Sequence, residues 1–111
     1  MKVILSQFAT KKLKEIYSYY SCYVDVEKAK EVKGVLLASI MQLIDFLFLG
    51  QKELSFHSRY ERRYLLTLNY KILYEIVDDS VVVLDIFHTK QLPHKMYLNE
   101  EPSEYVIKRN I

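Results

Sequence analysis

Polar and apolar positions along the chain alternate with two different periods, and the change between them sets the fold class. Lys2-Val3-Ile4-Leu5 predicts a short strand, and Ser6 after it is suited to cap a helix. Ala9, Leu13, Ile16, Tyr17 and Tyr20 then recur at spacings of three and four, with Lys11, Lys12, Lys14 and Glu15 on the opposite side. That is an amphipathic helix over Gln7 to Tyr20. Ser21 to Asp25 predict a break, and Asp25 caps a second helix from Val26. Its stripe is Val32, Leu36, Ile40, Leu43 and Leu47, widened by Val35, Leu37, Ile44, Phe46 and Phe48. The rising apolar content predicts a nearly buried C-terminal end, with Phe46 and Phe48 in the core and Gly50 as the stop. Gly34 costs helix propensity, about 1 kcal/mol against Ala, and marks either a close helix crossing or a tolerated defect.

Residues 51 to 60 show no clear period and predict a loop or an irregular crossing segment. Beyond Glu61 the period becomes two. Tyr64, Leu66, Leu68, Tyr70, Ile72, Tyr74 and Ile76 share one parity and are wholly apolar or aromatic. Leu65, Thr67, Asn69, Lys71, Leu73 and Glu75 share the other and are mixed. The pattern predicts half-buried strands at Tyr64 to Leu68 and Tyr70 to Val77, divided at Asn69. Asp78 and Asp79 form a turn into a third strand, Val81 to Phe87. Odd parity would place Arg63 and Lys71 together on an open sheet face. The order strand, helix, helix, strand, strand, strand predicts an α+β fold, with a helical hairpin on one face of a small antiparallel sheet. The other face is left for solvent or a partner. A single domain is expected over residues 1–95, with 96–111 as a tail in which Tyr105, Val106 and Ile107 either dock as a short strand or stay mobile at the terminus.

Composition narrows the function classes. The 111 residues suit one domain, and 50% hydrophobic with 27% charged content is that of a globular protein. The longest apolar stretch, Val35 to Leu49, is broken by Ser39, Gln42 and Asp45, so no membrane span is expected. Met1 to Leu5 is too short for a signal peptide. With a single cysteine, Cys22, no internal disulfide forms, and a cytoplasmic location is expected. No two of His57, His88 and His94 share a metal-ligand spacing with each other or with Cys22, so no metal is expected. Gly34 and Gly50 stand alone, which disfavours a phosphate loop, and no cofactor is expected. The net charge of +2 says little about a nucleic-acid partner, but residues 51–71 hold Lys52, Arg59, Arg62, Arg63 and Lys71 against Glu53 and Glu61. Tyr17 and Tyr20 are expected to pack, and Tyr19 and Tyr23 to remain available to a partner.

The run from Tyr70 to Pro93 resembles the closing hairpin of the RelE/ParE toxins. Lys71 and Tyr74 precede the acidic turn Asp78-Asp79, and the next strand ends in His88 followed by Lys90. Arg63-Tyr64-Leu65-Leu66 resembles the preceding strand, and Ser6, Ala9 and Leu13 the entry to the first helix. The likeness spans about residues 2 to 95. It implies the toxin of a type II toxin–antitoxin (plasmid stabilization) system, with a cognate antitoxin as partner and a homodimer or a heterotetramer with antitoxin as assembly. ParE-like members of the superfamily poison DNA gyrase, and RelE-like members cleave mRNA on the ribosome. A third alternative is a non-toxic binding module of the same fold. If RelE-like, Arg63, Lys71 and His88 are the candidate catalytic residues, since RNA cleavage needs an acid or base and cations for the phosphate. Otherwise Arg59, Arg62, Arg63, Lys71 and Lys90 are candidates to bind a target or phosphate. Glu75 and Asp85 on the same strands would repel an RNA phosphate if exposed, which favours the ParE-like branch.

Overall fold

A computed structural model describes residues 2–54 and 59–90. Strand β1 (Lys2–Leu5) leads into helix α1 (Gln7–Tyr23) through Ser6. The Ser6 hydroxyl accepts from the Ala9 N–H at 3.0 Å and donates to the Leu84 carbonyl at 3.2 Å. Its own N–H donates to the Val83 carbonyl at 3.0 Å. One buried residue thus caps the helix and ties its start to the sheet. Helix α1 buries Ala9, Leu13 and Ile16, as its spacing requires, and runs to Tyr23 rather than Tyr20. Helix α2 (Val26–Met41) starts at Asp25, whose carboxylate accepts from the Lys28 N–H at 2.7 Å, and it buries Ala29, Val32, Leu36 and Ile40. Tyr19 and Tyr23 are exposed, as expected. Among the described residues, no atom lies within 4 Å of a Cβ placed on Gly34, so this glycine serves no close crossing between the described elements.

The second helix stops sooner than the apolar run predicts. A single 3-10 turn, Gln42–Ile44, follows Met41, and the chain then reverses, with Asp45 and Phe46 donating back to the Gln42 carbonyl. Leu43 stays buried and Leu47 packs at the core margin. Phe46 and Phe48 are 63% and 59% exposed, against the expectation of burial. The reversal removes them from the helical stripe and brings the chain to β2 (Gln51–Lys52).

Strands β3 (Glu61–Thr67), β4 (Tyr70–Val77) and β5 (Ser80–His88) form the antiparallel body of a five-stranded sheet of order β1-β5-β4-β3-β2. Strand β1 is parallel to β5, and β2 antiparallel to β3. Leu68 and Asn69, with φ of 51° and 65°, make a two-residue hairpin turn, so Thr67 faces Tyr70 directly. This register inverts the parity between β3 and β4. Leu65 pairs with Ile72 beneath the helices, and Tyr64 pairs with Leu73 on the far side. A β-bulge sets Leu73 opposite Asp85 but Tyr74 opposite Val83, which leaves Leu84 as the extra residue on β5. The Leu84 carbonyl is the one that accepts from Ser6.

The main core joins Leu13, Ile16, Leu36 and Ile40 of the helices to Tyr70, Ile72, Tyr74, Val83 and Ile86 of the sheet. A second cluster, Leu73, Val82 and Leu84, lies on the sheet face away from the helices, with Tyr64 and Val77 at its margin. The predicted division into 1–95 and a tail at 96–111, the docking of Tyr105–Ile107, and His57 and His94 fall outside the described residues. Among the described residues, no helix is long and apolar enough to cross a membrane.

Candidate functional site

The hairpin register decides where the candidate cations point. Arg63 pairs with Tyr74, and Lys71 pairs with Leu66 on β3 and Phe87 on β5. Tyr74 belongs to the core under the helices, so Arg63 lies on the helix side and Lys71 on the other. The shared open face expected from parity is therefore absent, because the two-residue turn shifts the alternation by one. His88 pairs with Tyr70, again on the helix side, but four β4 positions from Tyr74. At strand spacings, Arg63 and His88 are separated by about 16 Å, combining roughly 13 Å along β4 with about 10 Å across two strand gaps.

Each of these side chains has its own local setting. The Arg63 guanidinium donates to the Gly50 carbonyl at 2.6 Å and the Phe48 carbonyl at 3.2 Å, pairs with Glu61, and lies 5.0 Å from the Phe48 ring centroid. It thereby fastens the reversal after α2 to β3. The Lys71 ammonium meets the nearly buried Glu53 carboxylate at 3.1 Å and sits 4.2 Å over the Tyr64 ring. The His88 Nδ1 accepts from the Lys90 N–H at 3.1 Å, which puts the proton of the neutral ring on Nε2. Its ring stands edge-on to Tyr70 at 5.3 Å. Arg59 lies beside the Tyr60 ring at 5.6 Å, and both Arg59 and Lys90 are exposed.

Arg62 and the two acids are the largest departures from expectation. Arg62 pairs with Glu75 at 2.9 Å, with side chains 8% and 1% exposed. Glu75 and Asp85 are both buried, so neither presents negative charge to a ligand at the surface. The repulsion expected of them does not operate, and it is no argument against RNA. Asp85 accepts from the Ile86 N–H at 2.7 Å and faces Lys12 at 3.6 Å, while its Oδ2 has no hydrogen-bond partner among the described residues. Lys12, placed by the helical pattern among solvated cations, is drawn inward by this carboxylate.

Burial pushes the Asp85 carboxyl above the usual 3.8, opposed by Lys12 and the Ile86 N–H. A raised native pKa means the folded state holds the proton more tightly than the unfolded state. Stability contributed by Asp85 therefore grows as pH falls from that raised value toward 3.8, and is lost in the opposite direction. In urea titrations against pH, wild type should gain on Asp85→Asn over that window. A difference that stays flat with pH would contradict this account of the site.

Sequence patterning did not find the polar junction at Tyr74. Its fully buried hydroxyl donates to the Leu47 carbonyl and accepts from the Gly50 N–H, both at 2.9 Å. Burial raises this phenol above its ordinary value. In the sequence Tyr74 stands out in the apolar parity and in the hairpin that resembles the RelE/ParE toxins, but neither points to a buried hydroxyl whose partners are more than twenty residues away in the chain. Between α1 and α2, Thr10, Leu13, Lys14, Tyr17, Ser18 and Lys33 line a groove of about 350 Å³, with the Lys33 ammonium 5.5 Å from the Tyr17 ring. Among the described residues, no group of three or more His, Cys, Asp or Glu side chains is placed to hold a metal ion.

A family model described as the ParE toxin of the type II toxin–antitoxin system parDE matches residues 3–93. The chain belongs to the ParE toxin family. Membership covers β1 through the end of β5 and makes the chain a toxin–antitoxin component of the RelE/ParE superfamily, on the ParE side. A solved structure titled "Chromosomal ParDE TA system from P. aeruginosa" is similar with a TM-score of 0.66 and 17% identity, over 79% of this chain and 95% of that one. That likeness supports the same α+β architecture. No curated protein matches the sequence.

Proposed function

We propose that this ParE family toxin acts by binding DNA gyrase and is neutralised by a cognate antitoxin. The observation that carries the reading is the dispersal of Arg63, Lys71 and His88. They occupy both faces of the sheet, and two of them are about 16 Å apart at strand spacings. A phosphodiester undergoing cleavage needs its acid, base and cations within hydrogen-bond reach of one group. Three side chains so arranged do not supply that set, and Arg63 and Lys71 are already engaged by Glu61 and Glu53. A protein target requires no such convergence. The groove between the helices, with its lysines and apolar floor, suits an antitoxin segment.

The test is made on the purified toxin. Supercoiling by gyrase should fall with toxin added, cleaved DNA complexes should accumulate, and mRNA on translating ribosomes should stay intact. His88→Ala should poison gyrase as wild type does. Ribosome-dependent mRNA cleavage that Lys71→Ala and His88→Ala both abolish would overturn the gyrase reading in favour of a nuclease. Inactivity in both assays, with no growth arrest on induction, would leave a binding module.

A further inference from the structure

The described sheet has two edges, and they differ in what a second copy of the chain would meet there. Strand β2 forms one edge and β1 the other. An open edge offers unpaired N–H and carbonyl groups to any extended segment, and proteins guard such edges with charge, proline or bulges.

The β2 edge is guarded by charge. The Glu53 N–H bonds inward to the Arg62 carbonyl, so Gln51, two residues earlier, also turns its backbone inward and Lys52 turns its own outward. At position 50 the N–H is taken by the Tyr74 hydroxyl and the carbonyl by Arg63. Two copies pairing antiparallel about Lys52 would set it directly against the partner's Lys52. Pairing position 52 with position 54 would set Glu53 against the partner's Glu53. Like charges directly opposite each other are destabilising.

The β1 edge carries no such guard. The Ser6 N–H bonds inward to the Val83 carbonyl, and Ile4, two residues earlier, shares that direction. Val3 and Leu5 therefore turn their N–H and carbonyl groups away from β5, where β1 pairs with no other described strand. The strand holds no proline, its register with β5 is unbroken, and its one charge, Lys2, stands at its end. One antiparallel register between two copies pairs all of these outward groups. Val3 lies opposite the partner's Leu5, and Leu5 opposite the partner's Val3, each pair exchanging both bonds. The twofold axis then falls at Ile4, which is 44% exposed beside Val82 and meets the partner's Ile4. Lys2 faces the partner's Ser6, so no like charges meet.

We propose that β1 is a self-pairing edge, through which two copies of this chain join antiparallel about a twofold axis at Ile4 and share one continuous sheet.

Disulfide trapping and sedimentation test the register. At a non-hydrogen-bonded pair the two Cα atoms lie about 4.5 Å apart, within reach of a disulfide. A chain carrying Cys22→Ser and Ile4→Cys should therefore be trapped as a covalent dimer under mild oxidation. Lys2→Cys in the same background should not, because four strand positions, about 13 Å, separate it from its counterpart. Sedimentation equilibrium of the otherwise unaltered chain should show a monomer–dimer equilibrium, and Ile4→Lys should raise its dissociation constant at least about tenfold while the far-UV spectrum is retained. A chain that sediments as a monomer at every soluble concentration would overturn the proposal. So would a dimer that Ile4→Lys leaves unchanged, or one trapped as readily through Lys2→Cys as through Ile4→Cys. A monomer whose binding to antitoxin is weakened by Ile4→Lys would assign the edge to a strand of that partner, and a second copy would no longer be its occupant.

Discussion

Arg62→Ala is expected to destabilise the fold by about 3–5 kcal/mol, the cost of breaking a buried ion pair by removing one partner. Arg62 and Glu75 face each other directly across β3 and β4, with the guanidinium Nε 2.9 Å from the carboxylate. Truncating Arg62 leaves the carboxylate of a residue only 1% exposed without this counter-charge. Glu75→Ala should be of similar severity, because the buried guanidinium then loses the carboxylate it meets at 2.9 Å. The informative variant is the pair Arg62→Leu with Glu75→Leu. Matching apolar side chains remove both desolvation costs, and such replacements are often neutral or stabilising. Urea denaturation of the three variants should therefore give two large losses and one small change. A double variant as unstable as the worse single one would mean that the pair supplies net stability through its hydrogen bonds.

The same pair shows what the sequence discloses and what it withholds. Helix stripes, the Ser6 and Asp25 caps and the strong strands at Tyr70 and Val81 follow from local spacing, which needs no knowledge of neighbours. The face on which a strand residue lies does not. Tyr64, Leu66, Tyr70 and Ile72 share a parity in the sequence, yet the turn at Leu68-Asn69 puts the first two on one face and the last two on the other. The positive φ at both turn positions is the cause, and Asn at the second is its only local signal. Every expectation resting on continuous parity moved with it, including the pairing of Arg63 with Lys71 on one surface. Glu75 and Asp85 resemble surface acids because their partners, Arg62 and Lys12, are 13 and 73 residues away in sequence. Phe46 and Phe48 fit a helical stripe by spacing, but the helix ends at Met41 because the chain turns back to supply β2. Family membership was legible because its signature is the hairpin itself. The geometry of the candidate site was not, since it depends on register.

Gly50→Ala should be the second severe change, costing about 3 kcal/mol, at the upper end of the usual range for overpacking. A Cβ at position 50 would lie 2.5 Å from the Tyr64 carbonyl oxygen, 2.7 Å from the Tyr74 hydroxyl and 2.9 Å from the Tyr64 carbonyl carbon. Two of those three atoms are backbone of β3, which Gln51 pairs with in β2, so no rotamer change relieves the overlap. Relief requires β2 to move away from β3. That movement breaks the bond from the Gly50 N–H to Tyr74 and the Arg63 contact with the Gly50 carbonyl. It also carries Glu53 away from Lys71, because Glu53 follows β2 directly and its N–H is held by the Arg62 carbonyl at 2.9 Å. A comparison with Tyr74→Phe separates these effects. That substitution removes the hydroxyl, and with it the acceptor for the buried Gly50 N–H, for about 1–3 kcal/mol, but leaves β2 in place. Combining it with Gly50→Ala takes away one close contact and keeps the collision with β3, so the double variant should be at least as unstable as Gly50→Ala alone. Recovery of stability in the double variant, measured by urea denaturation, would show that the phenol is the obstacle. In that case position 50, just before β2, would be free to carry a side chain, and the attachment of β2 to β3 would not depend on the glycine.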